Sequence, residues 1–574
     1  MKFLDELNEE QRIAVEAGDG PLAIVAGPGT GKTKTLTARI AYLLQTGRAR
    51  PHEILALTFT NKAAREMQGR VKSLLGKASL PKIATFHALC REIITQQMGE
   101  APQFVTETQR HAIIRTLKKS LALSKLSARE ISLILTRAKN ATQIPKDAPT
   151  KRLLAEYQHA LQERDLLDFD DLLLQARDLL QDKSSNYRYI LVDEFQDTNE
   201  LQYELLLLLN KTDNVFVIGD PLQSIYGFRG ASSAVFDRFK SDFKGAVQVT
   251  LTTNYRSTPE VVKMACALFP EHAHLKARND KPGKVCAVEV LNEYTEADWV
   301  VGQIERHIGG SDLLKGSEHH TAEKARTFGD FAVLYRTHHV ARIVRERLDA
   351  AAIPYQVAGE GSPYHLPAIA CTIEALRRIA GRQPVETPGL KLSPTQLKLK
   401  TDQKVSELAQ TVAKKCGFDS KTEPALRQFL NSLVRFDEQG LDAALDHLES
   451  IAEQDFYDPS ADAVTLSTIH AAKGLEFTHV FLIAAEQGII PHLQSSRPTS
   501  LEEERRLFYV AVTRAREQLD ITYTQTRARK PASPSQFITE IAEELLPRQA
   551  DEAIATQKRK ADRRRQKRAQ TSLF

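Results

Sequence analysis

The sequence is poor in several residue types. It carries one tryptophan, four methionines and five cysteines in 574 residues. Cys90, Cys266, Cys286, Cys371 and Cys416 stand far apart and form no CxxC pair. That excludes a disulfide scaffold, argues against a zinc or iron–sulfur centre, and suits free thiols in a reducing compartment. No apolar run approaches the roughly 20 residues needed to cross a bilayer, and the charged opening MKFLDELNEEQ does not read as a secretory leader. A cytoplasmic protein with no membrane partner is expected. The body also lacks a cationic excess. The net charge is +5, but residues 558–568 hold eight positive charges and one negative, which leaves the rest at −2. Any polyanion must therefore be gripped by a local groove, not by the whole surface.

What is present is a recurring β-rich apolar run followed by a turn or helix signal. LAIVAG (22–27), ILALTFT (54–60), YILVDE (189–194), NVFVIGD (214–220), FAVLYR (331–336), AVTLST (463–468) and HVFLIAA (479–485) suit parallel strands buried on both faces. Helical sequence lies between them, so the fold class is α/β. The runs fall before about residue 250 and after about 330, which predicts two sheets. Residues 91–187 and 371–458 are helical insertions, the second broken by a loop at GRQPVETPGLKLSPT (381–395). His319–His320 sits in a polar loop without a carboxylate or cysteine framework and is read as surface, not as metal ligands.

AIVAGPGTGKTKTL (23–36) places a Gly-rich loop between a strand and a helix. Gly27, Gly29 and Gly31 let backbone N–H groups approach a phosphate, and the helix N-terminus adds partial positive charge. Lys32 reaches the β- and γ-phosphates and the Thr33 hydroxyl is suited to Mg²⁺. Ala26 replaces the usual first glycine; Pro28 and Thr30 complete the loop. In YILVDEFQDTN (189–199) a strand carries Asp193 and Glu194 to its C-terminal end, where such sheets bind ligands. Asp193 fits a Mg²⁺ partner held through water, and Glu194 a general base for the attacking water. With Lys32 they imply an NTPase.

These motifs, in this order, resemble those of the superfamily 1 DNA helicases of the UvrD, Rep and PcrA type, over nearly the whole chain. LNEEQ (7–11) is similar to the Q motif, LTFTNKAAREM (57–67) to motif Ia, TFHALC (85–90) to motif Ib and GDPLQSIYGFRGA (219–231) to motif III. NYRS (254–257), TIHAAKGLEF (468–477) and EEERRLFYVAVTRAR (502–516) are similar to motifs IV, V and VI. LDFDDLL (167–173) is also familial. The resemblance implies two RecA-like P-loop domains, each with a helical insertion: core 1 at 1–90 and 190–250 with insertion 91–189, and core 2 at 251–370 and 459–546 with a reduced insertion 371–458. Few apolar residues and a high charge density predict a disordered basic tail at 547–574.

The resemblance also implies roles. Gln11 would read the adenine edge, Tyr255 stack on the base and Glu476 hold the ribose. Gln223 would sense the γ-phosphate, and Arg256 and Arg514 would act as arginine fingers. Phe59, His87, Tyr226 and Phe228, with Arg229 beside them, would line a single-stranded DNA channel by sequence-blind stacking. Phe228 stands where most relatives have Trp. The implied activity is Mg²⁺- and ATP-dependent 3′→5′ translocation or unwinding of single-stranded or 3′-tailed DNA in repair, replication or recombination, near the nucleoid. Two departures weaken the unwinding part: the short second insertion, and TYTQTRARKPASPSQF (522–537), which lacks the aromatic hairpin tip of close relatives. A translocase that strips proteins with little unwinding, and an ATP-switched clamp-associated binding module, are the alternatives. The chain's end, QTSLF, resembles the bacterial sliding-clamp peptide, with Gln570 as the polar contact and Leu573 and Phe574 as apolar anchors.

Overall fold

The apolar runs become strands whose alternate residues face two helical layers. β1 (Leu22–Ala26), β2 (Ile54–Thr58), β3 (Lys82–Thr85), β4 (Tyr189–Val192), β5 (Val215–Gly219) and β6 (Val247–Leu251) form an all-parallel sheet in the order β3-β2-β4-β5-β1-β6. The computed structural model describes residues 1–76, 79–99, 102–105, 107–140, 147–181, 186–227, 230–231, 234–270, 274–309, 326–358, 366–382, 403–420, 423–450, 457–458, 461–493 and 500–551. On one face, Leu22, Ile24, Ile54 and Ala56 pack with Leu36, Ile40 and Met67. On the other, Ala23, Leu55 and Leu57 pack with Leu89, Leu172, Leu173, Leu205 and Phe239. Fully burying each larger side chain is worth about 1.5–3 kcal/mol, which explains why both faces are covered.

A short parallel pair, β7 (Thr253–Asn254) and β8 (Lys276–Ala277), lies at the crossing to the second sheet. That sheet comprises β9 (Lys284–Val290), β10 (Phe331–Tyr335), β11 (Tyr355–Ala358), β12 (Val464–Thr468), β13 (Phe477–Leu482), β14 (Ala515–Thr524) and, after a hairpin of β15 (Thr526–Arg527) and β16 (Lys530–Pro531), β17 (Arg548–Ala550). Its order is β11-β12-β10-β13-β14-β9-β17, all parallel. The two sheets are the two expected RecA-like domains.

Each helical insertion has its own small core. Ile114, Ile131, Leu135, Leu153, Tyr157 and Leu161 gather three helices within 107–162. The helices Phe86–Met98 and Phe169–Gln181, by contrast, contribute to the first sheet's core. Lys139 joins the insertion to that layer: its Nζ donates to Asp168 (2.8 Å) and Asp171 (2.7 Å), all three buried. The second insertion packs Leu408, Val412, Leu426, Leu433 and Leu445 together with Ile369, on the helix Pro367–Ile379 that begins before residue 371.

The C-terminal tail begins later than residue 547. Arg548–Ala550 pairs with β9, Ala287 N donates to Pro547 O (2.9 Å) and Asp551 N to Glu289 O (2.9 Å). An edge strand needs only one neighbour and tolerates polar side chains, so its composition resembles that of a tail. The basic run, Gln570, Leu573 and Phe574 lie outside the described residues, as do His319 and His320.

One buried polar cluster on the second sheet sets a pH dependence. His479, fully buried, lies between Arg326 and Asp520: Arg326 Nη1 is 3.3 Å from Nδ1 and Asp520 Oδ2 is 2.6 Å from Nε2. An arginine N–H can be accepted only by an unprotonated Nδ1, so Nε2 carries the proton and the ring is neutral. Burial pushes its pKa down to about 4 although Asp520 opposes this. The unfolded chain therefore takes up a proton between about pH 6.5 and pH 4 that the folded chain refuses. Stability should fall as pH drops through that window, by up to about 3 kcal/mol. Urea unfolding of the wild type and of His479→Gln at pH 7.5 and 5 should show a shallower loss in the variant; equal losses would remove His479 as the cause.

Candidate active site

The C-terminal ends of β1, β4 and β5 deliver Gly27, Asp193 and Asp220 to one edge of the first sheet. The loop after β1 turns through Gly29 (φ 68°) and Gly31 (φ 84°), left-handed conformations that glycine adopts without Cβ strain. Gly31 caps the helix Lys32–Gln45, so Lys32 and Thr33 lie in its first turn. Thr30 Oγ1 donates to Gly27 O (2.8 Å), and Lys32 Nζ donates to Ala26 O and Gly27 O (both 3.2 Å). Gln11, 2% exposed, donates from Nε2 to Thr30 O (2.9 Å), while its Oε1 accepts from Asn8 N (3.1 Å). Its carboxamide therefore braces the loop, with further hydrogen-bonding capacity left for a base edge.

Asp193 and Glu194 are neighbours with opposite shifts. Burial and the Glu194 charge push Asp193 up to about 7 against the pull of Lys32. Burial also raises Glu194, but Lys32, Lys473 and the hydrogen bond from Gln196 Nε2 (2.5 Å) hold it below the usual range. Glu194 is thus the ionised member, and a divalent cation is the counter-charge that a buried Asp193 fits. Glu194 also has φ 48°, a conformation that costs a non-glycine residue on the order of 1–3 kcal/mol.

The second sheet supplies cations across the seam. Arg514, 1% exposed, donates to Val510 O (3.0 Å), Leu475 O (2.9 Å), Thr513 Oγ1 (3.1 Å) and Gln223 Oε1 (3.4 Å). Burial lowers it to about 9, still cationic at neutral pH. Gln223 in turn donates from Nε2 to Asp220 Oδ2 (2.8 Å), so it stands between a carboxylate and an arginine. Arg256 pairs with Glu476, which also pairs with Arg516. Glu476 is therefore tied to cations at this seam. Tyr255 is 42% exposed, with the Arg278 guanidinium 5.8 Å from its ring centroid, so it is available for stacking.

Sequence reasoning missed Lys473. Its Nζ donates to both Asp197 oxygens (2.7 and 2.5 Å) and to Gln223 O (2.7 Å). Burial opposes its charge, but Asp197 and Glu194 raise its pKa and keep it cationic. It also lies 4.9 Å from the Tyr226 ring centroid. Tyr226 stacks on Phe59 at 5.3 Å and is only 4% exposed, whereas Phe59 is half-buried. One lysine thus touches the carboxylate segment, the Gln223 loop and the aromatic pair. The one signal was its place in TIHAAKGLEF.

The helix Phe86–Met98, capped by Thr85, carries His87 edge-on to Phe169 at 6.0 Å. Phe169 stacks on Phe104 at 5.4 Å and is 45% exposed, a second aromatic platform that sequence reasoning left without a role. Phe228 and Arg229 lie outside the described residues.

Residues 7–244 match the UvrD/REP helicase N-terminal domain, and residues 249–387 and 390–526 the UvrD-like helicase C-terminal domain. The ATP-dependent DNA helicase PcrA of Staphylococcus epidermidis is 31% identical over 651 aligned positions, covering 95% of this chain and 87% of that protein. PcrA of Staphylococcus aureus is 30% identical over the same coverage. The aligned span exceeds this chain's 574 residues, so it runs across segments that these relatives have and this chain lacks.

Proposed function

The chain belongs to the UvrD-like helicase family, and from that premise we propose that it is an ATP-driven motor that moves 3′→5′ along single-stranded DNA. The observation that carries the reading is the seam itself: Lys32, Asp193 and Glu194 belong to the first sheet, Arg514 and Lys473 reach it from the second, and Arg256 stands on the segment that crosses between them. Phosphoryl transfer needs positioning and charge neutralisation more than covalent chemistry. Residues 26–33 hold the phosphates, Lys32 neutralises them, and Glu194 accepts the proton of the attacking water. Thr33 and Asp193 would hold Mg²⁺, which when bound would neutralise phosphate charge. Arg256, Arg514 and Gln223 reach the γ-phosphate, Gln11 and Tyr255 the base, and Glu476 the ribose. Because the two halves of the site lie on different sheets, turnover is tied to their relative movement.

Phe59 and His87, with Phe228 and Arg229, grip bases by stacking; Tyr226, expected beside them, is buried between Phe59 and Lys473 and backs the Phe59 ring from inside. DNA binding implies work near the nucleoid, in repair, replication or recombination. ATPase measured with and without single-stranded DNA tests the reading: strong stimulation is expected, and indifference to DNA would oppose it.

One observation favours a translocase that unwinds weakly. A hairpin is present at β15–β16, and its tip is Ala528 and Arg529, at φ 49° and 62°. Arg527 fixes its root between the buried Glu296 (2.5 Å) and Glu486 (2.8 Å). The tip is held firmly but offers no aromatic face to a base pair. The C-terminal QTSLF is proposed to tether the motor to a sliding clamp through Gln570, Leu573 and Phe574. Titration with clamp should show binding by the full chain and loss on deleting residues 570–574, with ATPase unchanged; equal binding by both would end that idea.

A further inference from the structure

Residues 252–258 cross from the first sheet to the second, and both ends of the crossing are tied down. At one end Thr252 donates from N (2.8 Å) and Oγ1 (2.5 Å) to the Glu10 carboxylate. At the other, Ser257 Oγ donates to Ala515 O (2.7 Å) and Thr258 N to Arg516 O (2.9 Å), on the strand that follows Arg514. Between them lies Asn254, 1% exposed, whose carboxamide is used on both sides. Its Nδ2 donates to Pro28 O in the phosphate loop (2.7 Å). Its Oδ1 accepts from Arg256 N (2.9 Å) and Ser257 N (2.8 Å), closing the turn that presents Arg256. Tyr255 N adds a bond to Gly29 O (2.8 Å). The approach is close: a Cβ on Gly29 would lie 2.6 Å from Arg256 Cβ and 2.9 Å from Asn254 Nδ2.

We propose that Asn254 is a positioning residue that registers the Arg256 guanidinium against the phosphate loop. This rests on the reading of Arg256 as a γ-phosphate ligand. A loop carbonyl and a turn amide can be joined by one short side chain only if it holds a donor and an acceptor. Asparagine has both, aspartate has the acceptor alone, and alanine has neither. Movement of the phosphate loop is then passed through Pro28 O and the Asn254 amide to the backbone of Arg256. Asn254 is buried with its carboxamide spent on Pro28 and the turn, and it acts through Arg256, so its loss should fall on turnover and not on nucleotide affinity.

The test compares steady-state ATPase, at saturating single-stranded DNA, for the full chain, Asn254→Asp, Arg256→Ala and the double variant. Binding of a fluorescent ATP analogue and thermal melting are measured beside it. Asn254→Asp keeps the turn's acceptor but loses the bond to Pro28. Its kcat should fall by about 10²-fold, the scale of a 1 Å misplacement of a reacting group, with little change in analogue affinity. The double variant should be no slower than Arg256→Ala, because the two losses act through one guanidinium. Wild-type kcat in Asn254→Asp, or losses that multiply in the double variant, would overturn the proposal. If Arg256→Ala alone turns over normally, the arginine leaves the reaction and the proposal falls with that reading, an outcome distinct from the other two. Asn254→Ala, which adds no charge, is judged by the same criteria should the aspartate variant melt early.

Discussion

Glu194→Gln is expected to stop steady-state ATP hydrolysis while nucleotide binding persists. The substitution keeps the side chain's shape and an oxygen that can accept from Gln196 Nε2, but it removes the carboxylate held ionised by Lys32, Lys473 and Arg514. A positioned general base contributes about 10²–10⁴-fold, so turnover should fall by at least that scale. Phosphate contacts come from the loop and Lys32, which the substitution leaves in place. A coupled ATPase assay beside an analogue-binding titration checks both halves. Near-normal hydrolysis would show that another group takes the water's proton.

Arg514→Ala should have the larger effect. An arginine finger is worth about 10³–10⁵ in rate, or roughly 4–7 kcal/mol. Arg514 is fixed by four hydrogen bonds, to Val510, Leu475, Thr513 and Gln223. Its removal also leaves buried acceptors unpaired, so melting must be measured alongside. Arg514→Lys separates the two contributions: it keeps the charge but loses the planar fork. Turnover should stay far below wild type in the lysine variant even where it melts normally. A well-folded Arg514→Lys protein with full turnover would remove the finger from the account.

Most inner strands of the two sheets were legible because they are continuous apolar runs. The strands that were missed are edge strands, β14 with its polar buried face, and β9, an inner strand whose buried apolar residues were passed over. β14 carries Gln518, Asp520, Thr522 and Thr524 inside the protein. Asp520, Thr522 and Thr524 pair there with His479, Glu296 and Glu486, and Gln518 with Asp520 and Arg326; no local pattern announces partners 38 to 226 residues away. β6 and β17 are edge strands with exposed polar residues. At the site, the phosphate loop and the carboxylates were readable from short-range spacing. Lys473 was not, because its meaning lies in Asp197 and Gln223, about 250 or more positions upstream. The hairpin tip was hidden for a different reason: Ala528 and Arg529 adopt positive φ without the glycine or asparagine that usually signals such a turn.

The most direct test of the central claim is strand displacement on three short duplexes, with a 3′ tail, a 5′ tail and no tail, each with ATP and with Glu194→Gln as the control. A motor whose two sheets close over ATP to move 3′→5′ along one strand should displace the 3′-tailed duplex alone, only with hydrolysis, and less well as the duplex lengthens. Equal displacement from the 5′-tailed duplex, or displacement that survives in Glu194→Gln, would contradict it.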